Sequence, residues 1–153
     1  LRECRSMSAS GPLPDQAWIA ARIPHAGRMC LLERVLAWDS SRIHCLATSH
    51  AGTDHPLVHA GTLGMANGIE YAAQAMAVHG ALLAGSETAP AAGFLTSVRD
   101  VQWEGTRLDE LGPELQVHAE RLSGDAHTIL YGFRLEAAGH TVLSGRASVM
   151  LSV

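Results

Sequence analysis

The chain has 153 residues, of which 47% are hydrophobic, so its length suits one globular domain with a sizeable core and leaves too little for a second. Its formal net charge is −4, and its eleven basic side chains are all arginines spread singly along the sequence, which argues against a nucleic-acid-binding protein with a basic stripe. Three cysteines without a Cys-x-x-Cys motif, and no N-terminal signal sequence, indicate reduced thiols and a cytoplasmic protein.

The N-terminal part of the sequence predicts a lead, a short helix and a pair of strands. Residues 1–14 are small, polar and proline-bearing, so we expect a disordered segment there. Asp15 is placed to cap a short helix that ends before Pro24. Two apolar runs, 30–38 and 42–48, are separated by a short polar turn and are typical of antiparallel strands.

A long loop and a buried helix follow. Residues 49–63 contain glycines, histidines and a proline with little periodicity, and long ordered loops in compact domains are often functional. The next segment, 65–83, is the most apolar of the chain, and we predict a helix capped by Thr62 or Asn67 and closed at Gly85. Although its length approaches the ~20 residues of a membrane span, several polar residues interrupt it and no basic cluster flanks it, so we predict no membrane span.

The C-terminal part predicts four more strands, at 93–103, 114–122, 128–137 and 141–153, separated by glycine-bearing turns. The long helix carries apolar residues around nearly its whole circumference and therefore needs to be wrapped. A twisted antiparallel sheet of about six strands is wide enough to curl around one helix. The sequence therefore predicts one α+β domain over residues 15–153, with a sheet that encloses a central helix.

The predicted helix carries one narrow polar stripe, in which Asn67, Glu70 and Gln74 follow the i, i+3, i+7 spacing. A carboxyl group held among apolar side chains is costly as an anion and tends to keep its proton, which makes Glu70 a candidate proton donor. The alternative is that the stripe only satisfies backbone groups of a nearby loop. We favour this alternative for Asn67 and Gln74, and it stays open for Glu70.

His55 is the candidate partner of Glu70, because it lies 15 residues upstream in the loop just before the helix. A neutral imidazole can act as a general base near physiological pH. A base and an acid flanking an apolar channel suit β-elimination from a thioester, in which one group removes an α-proton and the other helps a β-hydroxyl leave as water. We expect structural or exposed roles for the histidines without such a setting, namely His25, His44, His79, His118, His127 and His140.

A zinc site formed by Asp54, His55 and His59 is a weaker alternative. A His-x3-His pair with a neighbouring carboxylate can bind zinc, but Pro56 and the surrounding glycines predict a loop and no cysteine joins the set. The sequence also lacks the G-x-S-x-G elbow, the G-x-G-x-x-G fingerprint and the P-loop. We therefore expect neither a metal ion nor a cofactor.

Three segments in this order, Ile23–Leu36, Asp54–Leu57 and Gly68–Ala75, resemble motifs of a known family. The first is similar to a Pro-His-Arg-x-Pro entry into strand one, and the third to a Glu-x-x-Ala-Gln helix motif. Together they resemble the FabZ-like 3-hydroxyacyl-[acyl-carrier-protein] dehydratases of the hotdog fold, and most of all the branch associated with aryl-polyene-type pathways. The resemblance covers roughly residues 15–152.

The resemblance implies the dehydration of (3R)-hydroxyacyl thioesters to trans-2-enoyl thioesters, in fatty acid or polyene-type biosynthesis. It makes His55 the catalytic base and Glu70 the proton donor, contributed by different subunits of a homodimer with two tunnels, and it allows a hexamer of three dimers. It also implies an acyl carrier protein as partner, which would dock to arginines at the tunnel mouth.

Two departures from the family pattern concern the predicted site. The usual His-Phe-Pro is His-Pro-Leu here, at residues 55–57, and the Pro-Gly pair at the helix start is absent. Free backbone N–H groups at the helix start could hold the thioester oxygen. Counting forward from the histidine puts this donor at Gly64, and counting back from Glu70 puts it at Met65; with Gln74, these form the predicted substrate-binding set.

Two other functions stay open. One is a hotdog thioesterase, since an acid on the same helix can activate water. The other is a non-catalytic hotdog subunit that binds acyl chains or completes a partner's site in a heterodimer.

Overall fold

The computed structural model describes residues 12–23, 29–52, 55–85 and 93–151. The elements in chain order are α1 (Gln16–Arg22), β1 (Arg34–Trp38), β2 (Arg42–Ala47), α2 (Gly68–Ala84), β3 (Gly93–Trp103), β4 (Leu115–Gly124), β5 (Thr128–Ala137) and β6 (His140–Leu151). The strands form one antiparallel six-stranded sheet in the order β1-β2-β4-β5-β6-β3. The predicted α+β architecture, with six strands and one long helix, is confirmed and is that of a hotdog fold.

The N-terminal elements follow the prediction with two shifts. Asp15 caps α1, since its carboxylate accepts a hydrogen bond from Trp18 N–H at 2.9 Å. Pro14 is buried and its carbonyl accepts from Val35 N–H at 2.9 Å, so packing reaches one residue into the predicted lead. Residues 1–11 of that lead lie outside the described residues. The first strand begins at Arg34, four residues later than predicted, because the N–H of Leu31 in the preceding segment donates to the side chain of Gln74 on α2 instead of to a strand.

The sheet separates a core face from an outer face. Ile43, Ala119 and Phe133 lie opposite one another on three neighbouring strands and are at most 5% exposed. The residues directly before and after each of these three point to the outer face, because successive side chains in a strand alternate between the two faces. Helix α2 packs across the core face against β2, β4 and β5, which explains why so much of its surface is apolar.

One side of α2 is not covered by the sheet of this chain. Residues such as Tyr71, Ala72 and Ala75 are fully buried, whereas a stripe of small and aliphatic residues at helical spacing is half-buried or exposed. The predicted wrapping is therefore one-sided within a single chain. The stripe consists of Ala66, Ile69, Ala73, Ala77 and Gly80.

The sequence predicted no membrane span and reduced cysteines, and the described residues bear on both predictions. No helix among them is both long and apolar enough to cross a membrane. Cys30 and Cys45 are buried free thiols, and burial raises the pKa of Cys45 to about 12. Cys4 lies outside the described residues.

Gly68 begins α2 where the helix lies against the sheet. A Cβ at this position would lie 2.5 Å from Leu143 Cδ2 and 3.1 Å from Leu135 Cδ2, and both leucines are fully buried. Since packed side chains have little room to move, we expect Gly68→Ala to lower the free energy of unfolding by about 1–3 kcal/mol, as measured by urea denaturation.

Gly80 provides the matched control in the same helix. Among the described residues, no atom outside the adjoining backbone of α2 lies within 4 Å of a Cβ built there, so Gly80→Ala gains helix propensity without a clash and should raise stability by up to ~1 kcal/mol. A Gly68→Ala protein as stable as the wild type would contradict this prediction and show that Leu135 and Leu143 can move to accommodate the added methyl group.

Candidate active site

His55 lies in the loop before α2 and is buried, with 7% of its surface exposed. Leu57 N–H donates a hydrogen bond to its Nδ1 at 3.0 Å, and its Nε2 lies 3.0 Å from the hydroxyl of Tyr71 on α2. Because a backbone N–H can only donate, Nδ1 carries the lone pair and the neutral ring carries its proton on Nε2. His55 therefore donates to Tyr71.

The hydroxyl of Tyr71 makes a second hydrogen bond, to the hydroxyl of Ser49. Its hydroxyl lies 2.7 Å from Ser49 Oγ, which in turn donates to the carbonyl of Leu31 at 2.9 Å. Since Tyr71 accepts from His55, its own proton is directed at Ser49. Burial raises the pKa of Tyr71 to about 12 although the Ser49 hydrogen bond lowers it, so the group remains a neutral phenol near neutral pH.

Gln74 connects the same loop segment to Glu70. It is fully buried, its Oε1 accepts from Leu31 N–H at 2.9 Å, and its Nε2 donates to the carbonyl of Met29 at 2.7 Å. The same Nε2 lies 3.3 Å from Oε2 of the half-buried Glu70. The structure thus shows Gln74 in the loop-satisfying role that we favoured, and its contact with a substrate stays a prediction.

These hydrogen bonds join the two predicted catalytic residues within one chain. The sequence pointed to His55, Glu70 and Gln74, but it did not single out Ser49 or Tyr71. Tyr71 was hidden among apolar neighbours, where the only signal is that a buried tyrosine hydroxyl usually needs a partner. The network consists of two chains of hydrogen bonds that meet at Leu31: one runs from His55 through Tyr71 and Ser49 to the Leu31 carbonyl, and the other runs from the Leu31 N–H through Gln74 to Glu70.

The two predicted oxyanion donors, just before α2, differ in their hydrogen bonding. The N–H of Met65 donates to the Thr106 carbonyl at 2.9 Å, whereas no described residue accepts a hydrogen bond from the N–H of Gly64. A donor that already has a protein partner is less suited to a substrate oxygen. The arrangement favours Gly64, whose role stays a prediction.

Of the two predicted caps of α2, Asn67 lies at the cap position, but the expected side-chain capping hydrogen bond is absent. Neither Thr62 nor Asn67 caps α2 through its side chain; Asn67 occupies the cap position with helical backbone angles, φ −66° and ψ −14°. Its side-chain amide instead donates to the Gly64 carbonyl at 3.2 Å. The reason is that the 3-10 turn Met65–Asn67 leads directly into the helix, so the extended backbone that a side-chain cap needs is not adopted. The predicted closure at Gly85, in left-handed conformation with φ 63°, is confirmed.

His50 is a further buried group that the sequence did not single out. Its ring is fully buried, Nε2 donates to the Gly112 carbonyl at 2.8 Å, and Nδ1 has no hydrogen-bond partner within the described parts of the chain. Burial lowers the pKa of His50 although the Gly112 hydrogen bond raises it. His50 is therefore a neutral neighbour of His55.

The zinc alternative receives no support from the described residues. Both ring nitrogens of His55 already have hydrogen-bond partners, and His59 is exposed. Asp54 lies outside the described residues. Among those that are described, no group of three or more His, Cys, Asp or Glu side chains could hold a metal ion.

A groove of about 800 Å³ lies across the sheet, away from the network. The arginines that line it pair with carboxylates, as Arg42 does with Glu120 at 3.2 Å and Arg134 with Glu136 at 3.1 Å. None of the predicted site residues lines it. A lining of paired charges does not suit an acyl chain, so we do not place the substrate there.

Residues 17–152 match the family model described as ApeP dehydratase. The chain belongs to the ApeP-like dehydratase family. This agrees with the resemblance to aryl-polyene-type dehydratases inferred from the motifs. No match was found among curated proteins.

Solved structures similar to this ApeP-like chain share its fold. The dehydratase heterocomplex ApeI:P from Xenorhabdus doucetiae matches with a TM-score of 0.74 and 23% identity, over 88% of this chain and 91% of the other. Zebra fish thioesterase superfamily member 2 matches with a TM-score of 0.59 and 15% identity, over 90% and 99%. The PaaI protein of the Escherichia coli phenylacetic acid degradation operon matches with a TM-score of 0.57 and 12% identity, over 78% of each chain. At such identities these likenesses establish the hotdog fold alone.

Proposed function

We propose that this chain is a subunit of a dehydratase that converts (3R)-hydroxyacyl thioesters, carried by an acyl carrier protein, into trans-2-enoyl thioesters. Membership of the ApeP-like dehydratase family supports the reaction class. The observation that carries the proposal is that His55, through Tyr71 and Ser49, and Glu70, through Gln74, are both hydrogen-bonded toward the same backbone residue, Leu31. This supports a candidate base and a candidate acid in one region of the fold, and elimination needs both.

In the proposed reaction His55 takes the α-proton and Glu70 gives a proton to the β-hydroxyl. The Cα–H and Cβ–O bonds break, the Cα=Cβ bond forms, and water leaves. The thioester oxygen gains negative charge during this step, and the N–H of Gly64 would stabilise it. We place the reaction in the cytoplasm, in fatty acid or polyene-type biosynthesis.

We also propose that the chain works with a second hotdog subunit. The edge strand β3 exposes Phe94, Leu95 and Trp103, with 58%, 41% and 59% of their surfaces accessible. An exposed apolar edge strand is a template for pairing with another chain, and α2 presents a half-exposed apolar stripe as well. The Xenorhabdus doucetiae structure is a heterocomplex, so the partner is either a second copy, in a homodimer or hexamer, or a related subunit.

A non-catalytic subunit of a heterodimer is the second candidate function. It is favoured by one observation, namely that both ring nitrogens of His55 are already hydrogen-bonded inside the chain. A base needs a free lone pair. In this case the partner subunit would supply the reacting groups.

One experiment separates the candidate functions. The purified chain is incubated with a 3-hydroxyacyl carrier protein, alone and together with a second hotdog dehydratase subunit, and the products are identified by mass spectrometry. A carrier-bound acyl group that has lost one water supports the dehydratase, whereas a free carrier thiol indicates a thioesterase. Turnover that appears only in the mixture, and that survives His55→Ala, supports the non-catalytic subunit.

A further inference from the structure

Gly64 lies opposite Arg107 in an isolated antiparallel bridge, and two backbone hydrogen bonds flank this pair. The N–H of Leu108 donates to the carbonyl of Leu63 at 2.8 Å, and the residue after Gly64 donates to the residue before Arg107 at 2.9 Å. Because the bonds lie beside the pair and not within it, the backbone N–H of Gly64 points away from residues 106–108. It points to a side on which no described residue accepts it.

Asp109 adds a side-chain hydrogen bond to the two backbone ones. Its Oδ1 accepts from the N–H of Leu63 at 3.3 Å, so both polar backbone groups of Leu63 are bonded to residues 108–109. Arg107 holds this carboxylate in place, because its Nε and Nη2 donate to Oδ1 and Oδ2 of Asp109 at 3.1 Å and 2.6 Å. The Arg107 hydrogen bonds are also the main reason why the pKa of Asp109 is lowered to about 2, so Asp109 is a carboxylate near neutral pH.

The segment that supports Gly64 is itself fixed to the core of the domain. Leu108 is fully buried, and Glu104, directly after β3, donates its N–H to the carbonyl of Val142 on β6 at 3.0 Å. A donor stabilises a developing oxyanion best when it is already held in place before the reaction. Residues 63–65 meet this condition, since their neighbours in the bridge are anchored to the sheet.

We propose that Asp109 is a positioning residue for the reaction, which holds Leu63 so that the N–H of Gly64 is directed at the thioester oxygen. The inference rests on the proposed function, in which this N–H stabilises the negative charge on that oxygen. Asp109 acts through the backbone of Leu63 and transfers no proton. Arg107 contributes by orienting the carboxylate of Asp109.

The first measurement is amide hydrogen exchange, followed by NMR on the full chain. Asp109→Ala removes the acceptor of the Leu63 N–H and leaves the backbone of the bridge unchanged. We expect the Leu63 amide to exchange about fivefold faster in this variant, the effect of one net hydrogen bond. An unchanged exchange rate of Leu63 would overturn the proposal.

Turnover and infrared spectroscopy then show whether the loosening of Leu63 reaches the N–H of Gly64. We expect kcat for the hydroxyacyl carrier protein to fall about tenfold in Asp109→Ala with KM unchanged, because the weakened interaction is made in the transition state. The carbonyl of isotope-labelled crotonyl-pantetheine should absorb at a lower frequency on the wild type than in buffer, and this shift should be smaller on the variant. No shift on the wild type, an equal shift on the variant, or a loss confined to KM would overturn the proposal.

Glu136→Ala is the matched control. Glu136 accepts from Arg134, two residues before it, at 3.1 Å, as Asp109 accepts from Arg107, and its side chain is 27% exposed against 19% for Asp109. Because Glu136 lies on β5, away from the bridge, this variant should keep the Leu63 exchange rate, kcat and the carbonyl shift of the wild type. Equal changes in both variants would overturn the proposal. If the wild type turns over no hydroxyacyl substrate, the proposed function fails, while the exchange rate of Leu63 still decides whether Asp109 holds this segment.

Discussion

Replacing His55 by alanine, or Glu70 by glutamine, should each lower dehydratase turnover by about 10²–10⁴-fold, the usual contribution of a general acid or base. His55→Ala removes the group that takes the α-proton. Glu70→Gln keeps the side-chain volume and an oxygen that accepts from Gln74, but it removes the transferable proton. The measurement is the rate of enoyl-thioester formation at saturating hydroxyacyl carrier protein.

Two exposed residues of the same types serve as controls. His59 lies four residues after His55 in the same loop, and Glu120 lies on a strand of the sheet. His59→Ala and Glu120→Gln should retain wild-type turnover. Near wild-type turnover in His55→Ala or Glu70→Gln, with circular dichroism showing an intact fold, would remove that residue from the mechanism.

Gln74→Leu should destabilise the fold by about 2–6 kcal/mol, because two backbone groups lose their hydrogen-bond partners and each costs roughly 1–3 kcal/mol when unsatisfied. These are the N–H of Leu31 and the carbonyl of Met29, bonded at 2.9 Å and 2.7 Å. Leucine has a similar volume, so the loss reports on hydrogen bonding rather than on a cavity. Urea denaturation, followed by circular dichroism, measures it.

Gln16→Leu is the control for this loss. Gln16 is exposed, and its Nε2 donates to the Leu32 carbonyl at 3.1 Å in the same part of the chain. Because only one hydrogen bond is lost and its donor side chain is exposed, we expect a smaller loss of about 0.5–1.5 kcal/mol. Equal losses of unfolding free energy in both variants would show that the burial of Gln74 does not increase the contribution of its hydrogen bonds to stability.

The sequence by itself determined the architecture and the residues on which the site proposal rests. Strands β3 and β5 have the predicted bounds, because glycine-bearing turns and apolar runs are local signals that need no tertiary contact. The apolar helix and its polar stripe were equally local, since residues three and four apart share a helix face. For this reason Glu70 and Gln74, and His55 in the preceding loop, could be chosen before any coordinates.

Only the tertiary structure decided what these residues touch. Tyr71 lies 16 positions from His55 and 22 from Ser49, and Gln74 lies 43 from Leu31. No local pattern records such pairs. The state of His55 depends on which nitrogen meets a donor and which meets an acceptor, and that is set where the loop, the 29–31 segment and α2 come together in space. The physical reason is that hydrogen-bond direction belongs to atoms in contact, whereas periodicity and turn composition belong to neighbours along the chain.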